Sequence, residues 1–154
     1  MGRLNRHVPA KFLKPPKGFK KPDPKKFKED MQNLGEAIAE EFKNTVIDNI
    51  KTNRYKFRLA DSTLAKKQKE GKSLLPFIET EQYLNAIERN GTSITVKDSV
   101  RTDSNLTNLE IAMVLEYGRK DKLIPARPLW RNTFLDFKEK AFQMRNDFIK
   151  KGKI

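Results

Sequence analysis

The chain has 154 residues, 36% of them hydrophobic, and a net charge of +13, which is one domain's worth of sequence with apolar content for one modest core. Cysteine is absent, and no apolar run approaches the ~20 residues of a bilayer span, so disulfide frameworks, thiolate metal sites, thiol nucleophiles and membrane helices are excluded. Met1-Gly2-Arg3-Leu4-Asn5-Arg6 lacks the apolar centre of a signal peptide, so a soluble chain that is not exported and assembles inside the cell is expected.

The charge is uneven. Residues 1–28 hold ten bases (Arg3, Arg6, Lys11, Lys14, Lys17, Lys20, Lys21, Lys25, Lys26 and Lys28) against one acid, Asp23, a net +9 that leaves +4 for the other 126 residues. Residues 1–23 therefore read as a basic arm, and 24–154 as a single, nearly balanced domain. The arm has Pro9, Pro15, Pro16 and Pro22, with Phe12, Leu13 and Phe19 as isolated apolar points, and it lacks helical or strand periodicity, so it is expected to be extended. Its charge would attract polyanions or an acidic protein surface.

Asp23-Pro24 predicts a helix start, because aspartate caps free amides and proline suits the first helical position. Phe27, Met31, Leu34, Ile38, Phe42, Val46 and Ile50 follow at steps of three or four, a single buried stripe. Asp61–Lys67 predicts a short capped helix stopped by Gly71. After a loop through Pro76, Thr80 is placed to cap another turn. Residues 85–89 and 93–100 then flank Asn90-Gly91, a pair suited to the positive φ angles of a tight hairpin, with Ile94, Val96, Asp98 and Val100 alternating against Thr95, Lys97 and Ser99. Thr107 and Glu110 have capping-box spacing for a helix to Tyr117 that ends at Gly118. Pro128 is expected to open a last helix with a stripe of Trp130, Phe134, Phe137, Ala141, Met144 and Phe148, while Lys150, Lys151 and Lys153 favour its C-terminal dipole. The fold class is α+β, with long first and last helices packed on a small antiparallel sheet.

Chemistry finds little purchase in this pattern. His7 is the only histidine, with no cysteine or second histidine to complete a metal site. The glycines stand mostly at element ends, without a phosphate-cradling loop or dinucleotide fingerprint. Glu40-Glu41, Glu79/Glu81 and Glu110/Glu116 are ordinary surface acids by position. With no nucleophile, base and orienting group to name, no enzyme activity, metal or cofactor is expected. Nucleic-acid binding is the rival reading. Lysines interleaved with Phe12, Phe19 and Phe27 suit phosphates and stacked bases, but only in a sequence-independent, salt-sensitive way.

Two stretches carry a resemblance. One is Leu59-x-x-x-Thr63-Leu64-x-Lys66-Lys67, then Gly71, then Leu75-x-x-Ile78-Glu79-Thr80-x-x-Tyr83-Leu84-x-x-Ile87. The more distinctive is Ala112-x-x-Leu115-Glu116-Tyr117-Gly118, a short loop, then Ile124-Pro125-Ala126-Arg127-Pro128-Leu129-Trp130. Together, over roughly residues 30 to 148, they resemble the tail-completion and neck family of tailed bacteriophages, small proteins that close the joint between head and tail. Three features depart from that pattern: Glu81 stands where many members have glycine, Leu129 precedes the aromatic Trp130, and the basic arm is an addition.

The resemblance implies a structural virion protein of the neck or tail top, assembled in the host cytoplasm. It implies a homo-oligomeric ring of six or twelve subunits around the DNA channel, with a head connector or portal-side ring on one side and a tail terminator or tail tube on the other. On that reading the arm residues Arg3, Arg6, Lys11, Phe12, Lys14, Lys17, Phe19, Lys20 and Lys21 contact a neighbouring subunit or the DNA. Glu116, Tyr117, Arg127 and Trp130 are candidate interface residues or loop anchors. Pro125 and Pro128 hold Arg127 on a rigid loop, where its guanidinium can fork onto Glu116 or onto a neighbour's carboxylate, or can simply pin loop to helix. Tyr117 and Trp130 continue buried stripes and are expected in the core.

Overall fold

The computed structural model describes residues 23–78 and 81–151. Among them the chain is α+β, with five α-helices and a two-stranded antiparallel sheet. Helix α1 spans Pro24–Lys51, and Asp23 caps it, its carboxylate accepting the Lys25 N–H at 2.9 Å. Val46 and Ile50 are fully buried and Leu34 nearly so, but Phe27 and Met31 are exposed. A 28-residue helix is roughly 42 Å long, and its first turns run past the core.

The last helix, α5 (Leu129–Lys150), lies antiparallel along α1. Asn49 meets Thr133, the Phe42 ring sits 5.2 Å from that of Phe137, and Lys140 pairs with Glu41. Its expected stripe is only partly covered. Phe137 is buried and Trp130 half-buried, while Phe134 is exposed and the buried positions of the first turns are Leu129 and Thr133. Asn49 donates to the Thr133 hydroxyl at 3.0 Å, and the Tyr55 hydroxyl donates to Asp136 at 3.0 Å, so a buried polar cluster ties the two long helices beside the core.

Helix α2 (Asp61–Lys69) starts differently from expectation. Asp61 is its first residue, and the cap position is Ala60, which makes no side-chain bond; Asp61 instead adds negative charge to the first turn, where the helix dipole favours it. The stop is as expected. Gly71 takes φ +64°, and the N–H groups of Gly71 and Lys72 return to the carbonyls of Gln68 and Lys67, a Schellman closure. The expected cap at Thr80 lies outside the described residues. Glu81 precedes helix α3 (Gln82–Asn85) at φ 58°, in the left-handed region that glycine favours.

Strands β1 (Ile87–Asn90) and β2 (Ser93–Val96) pair from Ile87↔Val96 to Asn90↔Ser93. The register corrects the turn: Gly91-Thr92 are its central residues and Asn90 ends a strand. Of these two residues only Gly91 takes a positive φ, as at the first central residue of a type II′ turn. Ile94 and Val96 face inward as expected, but the alternation breaks afterwards. The Ser99 N–H bonds the Lys97 carbonyl, which bends the chain and reverses its faces, so Asp98 is exposed and Val100 is 82% exposed.

Helix α4 (Asn108–Tyr117) carries the full Thr107/Glu110 capping box. The core gathers Val46 and Ile50 of α1, Phe77, Tyr83, Leu84, Ile87, Val96, Ala112 and Leu129, so every element but α2 contributes to one apolar centre. The far halves of α1 and α5 project beyond it.

Candidate subunit interface

The end of α4 and the start of α5 form one clamp. Gly118 turns with φ +75°, and a Cβ there would stand 2.8 Å from both the Ala126 nitrogen and the Ile124 oxygen, so the chain crosses itself where only glycine fits. Arg119 and Ile124 exchange both backbone hydrogen bonds, and a 3-10 turn at Lys120–Lys122 lies between them. The Arg127 N–H then donates to the Leu115 carbonyl at 2.6 Å.

Glu116 has a role that differs from the expected pairing. Pro128, in the cap position of α5, supplies no side-chain acceptor. The two Glu116 oxygens take its place, accepting the N–H groups of Trp130 and Arg131, each at 3.0 Å. A carboxylate from the preceding helix thus caps the last one, favoured by the positive end of its dipole.

Arg127 consequently has no ion-pair partner in the described chain. Its Nη2 donates to the Arg58 carbonyl at 3.1 Å, its Nε is buried without an acceptor, and burial pulls its pKa below the ordinary arginine value. Neither reading that gave it an intrachain carboxylate holds. Tyr117 is also corrected: at 77% exposed it is a surface side chain at the end of α4, bordering a hollow beside β2 that nothing in the described chain fills. Trp130 is half-buried and donates its indole N–H to the Tyr83 hydroxyl at 3.1 Å. Burial raises the Tyr83 pKa to about 12, with the nearby Glu116 charge adding to the rise and the indole bond opposing it. The arm residues Arg3 to Lys21 lie outside the described residues.

Beside the clamp runs an apolar groove of about 630 Å³, floored by Leu34, Ile38 and Phe42 of α1 and walled by Trp130, Phe134 and Phe142 of α5. The hairpin closes one side, with Thr92 leaning so near Gly35 that a Cβ there would meet its methyl at 2.8 Å. Lys138 and Arg145 lie over the Phe134 and Phe142 rings, at 5.6 and 5.2 Å from the centroids. The apolar face continues onto α4, where Met113 and Tyr117 border a second hollow that also reaches Trp130 and Phe134.

Among the described residues no group of three His, Cys, Asp or Glu is placed to hold a metal ion, and no helix is long and apolar enough to cross a membrane. Two features went unread in the sequence. One is Lys67, only 6% exposed, whose ammonium donates to the carbonyls of Ser73, Leu75 and Ile78 at 2.8–2.9 Å. The other is the Asn49–Thr133–Tyr55 cluster, hinted at only by two polar residues falling on otherwise apolar stripes. No protein-family model, curated protein or solved structure matches the chain.

Proposed function

We propose that the chain is a structural subunit of the phage neck, forming a ring that completes the tail or joins it to the head connector around the DNA channel. The observation that carries this reading is the uncovered apolar face running from Met31 and Phe142, past Phe134, to Met113 and Tyr117. Faces of this kind on a small domain mark surfaces that a neighbour covers. Head-to-tail closure of identical subunits into a ring requires a second, different surface, and Leu123 and Val100 are exposed apolar side chains on separate loops outside both hollows. The resemblance over residues 30 to 148 supplies the phage context.

The basic arm sustains the second reading, a nucleic-acid-binding protein whose working part is residues 1–28 with their net +9. Electron microscopy of lysates from a phage lacking this gene separates the two. Filled heads and finished tails accumulating unjoined, or heads leaking DNA, are expected of the neck subunit. Normal yields of joined infectious particles would sink that assignment and leave the nucleic-acid reading in its place.

A further inference from the structure

The α5 wall of the apolar groove carries a row of cations. Arg131, Lys138 and Arg145 follow one another at seven-residue steps, which drift by only about 20° around a helix and so keep to one side; the row is about 20 Å long. Lys138 and Arg145 line the groove itself, and Arg131 lines the hollow that continues it. All three are exposed, and none forms an ion pair among the described residues. Lys138 and Arg145 rest over the Phe134 and Phe142 rings instead. Among the described residues no acid lines the groove, and Glu116, in the adjoining hollow, has both oxygens committed to the α5 amides. Met31, Phe134 and Phe142 are each left about half exposed.

Shape and charge together select what covers this groove. Its floor from Met31 to Phe42 follows α1 for about 16 Å, or three turns, beside the antiparallel α5. That is a seat for a third helix presenting apolar side chains at i, i+3 and i+7. The row adds a demand for negative charge at points about 10 Å apart. A single-chain amphiphile brings one anionic group and leaves the rest of the row unmatched. A nucleic acid matches the row but brings no aliphatic side chains to fill the space over Leu34 and Ile38. Residues 1–22 of the chain itself contain seven bases and no acid, and a second copy laid on the same face sets Lys138 and Arg145 against their own counterparts, a like-charge juxtaposition that suppresses pairing.

We infer that the groove between α1 and α5 seats an acidic amphipathic helix of a different protein. Its apolar side chains fill the space over Leu34 and Ile38, and its carboxylates, at seven-residue steps, meet Lys138 and Arg145. The inference rests on the neck reading for taking the helix to belong to another protein of the joint, which leaves Met113 and Tyr117, at the far end of the apolar face, for contacts between copies.

Trp130 is the chain's only tryptophan and lines the groove, so its emission reports on the groove and is blind to binding at residues 1–22 that leaves the groove empty. The full-length chain is titrated with a tryptophan-free peptide of about 18 residues, leucines at i, i+3 and i+7 flanked by glutamates. Parallel titrations use the same peptide with lysine for glutamate, the glutamate peptide in scrambled order, decanoate, and a ten-nucleotide oligothymidylate. The glutamate helix should shift Trp130 emission to the blue, with a midpoint about tenfold below that of the lysine helix, as attraction at two exposed cations exchanged for repulsion implies. Lys138→Glu/Arg145→Glu should reverse that preference, and the milder Lys138→Gln/Arg145→Gln should level it, both with the parent's melting temperature.

The inference is overturned if the glutamate and lysine helices bind alike, or if no peptide moves Trp130. It is overturned equally if the scrambled peptide, oligothymidylate or decanoate moves Trp130 as strongly as the glutamate helix. A preference for glutamate that survives both charge variants has the same force, since the selecting charges then lie elsewhere. None of these outcomes depends on the phage experiment, so the groove's occupant and the neck assignment stand or fall separately.

Discussion

Two of the buried cations of this molecule are held in opposite ways. In the loop after α2, Lys67 gathers three carbonyls from residues 73–78 and holds that segment in place with its donors satisfied. In the loop before α5, Arg127 has a single carbonyl and a bare Nε. The first arrangement is complete within one chain and stabilises the fold. The second leaves one buried donor without an acceptor among the described residues.

The largest consequence of that contrast falls on Lys67. Lys67→Met leaves buried carbonyls without their donor, and at about 1–3 kcal/mol for each orphaned group, only partly relieved by water, a loss of about 4 kcal/mol is expected; chemical denaturation measures it directly. A loss below about 1 kcal/mol would erase the distinction between the two loops.

Next in size is the coupling between Tyr83 and the clamp. The folded state holds the Tyr83 proton to about 12, whereas the unfolded chain releases it near pH 10. The sign follows: below pH 10 both states are protonated and the stabilisation is whole, and it is lost as pH rises from about 10 toward 12, where the unfolded state alone has given up the proton. A pH series of melting temperatures should show this decline, and Tyr83→Phe should flatten it. An equally steep decline in the Phe variant would place its origin elsewhere.

The smallest effect belongs to Glu116, a cap acting from a neighbouring helix. Glu116→Ala should cost about 1 kcal/mol, a typical cap's worth, and lower the melting temperature by about 3 °C. Because Arg127 does not lean on this carboxylate, a double variant with Arg127→Met should show additive changes within about 0.5 kcal/mol; strong coupling would restore the intrachain ion pair that the geometry excludes.

How much of this was legible differs by element. The start of α1 was written in Asp23-Pro24, and the capping box at Thr107 and Glu110 and the glycine stops at Gly71 and Gly118 were equally plain, because each depends on atoms within five residues of one another. The hairpin was legible but its turn was misplaced by one residue, since Asn-Gly suggests a type I′ turn and only the cross-strand register decides which two residues are central. The stripes of α1 and α5 were read correctly as faces, yet Phe27, Met31 and Phe134 are not covered, because periodicity reports which side of a helix is apolar and says nothing of how far the partner extends.

By itself, then, the sequence determined the α+β class, the helix boundaries set by local capping, the basic composition of residues 1–28 and the apolar faces of the long helices. Only the tertiary structure decided that Glu116 caps α5, that Tyr117 faces outward, that Lys67 ties the 73–78 loop and that Arg127 lacks a carboxylate. Those outcomes rest on contacts between residues 6 to 69 positions apart, where the identity of a side chain leaves several partners open and the path of the backbone chooses among them.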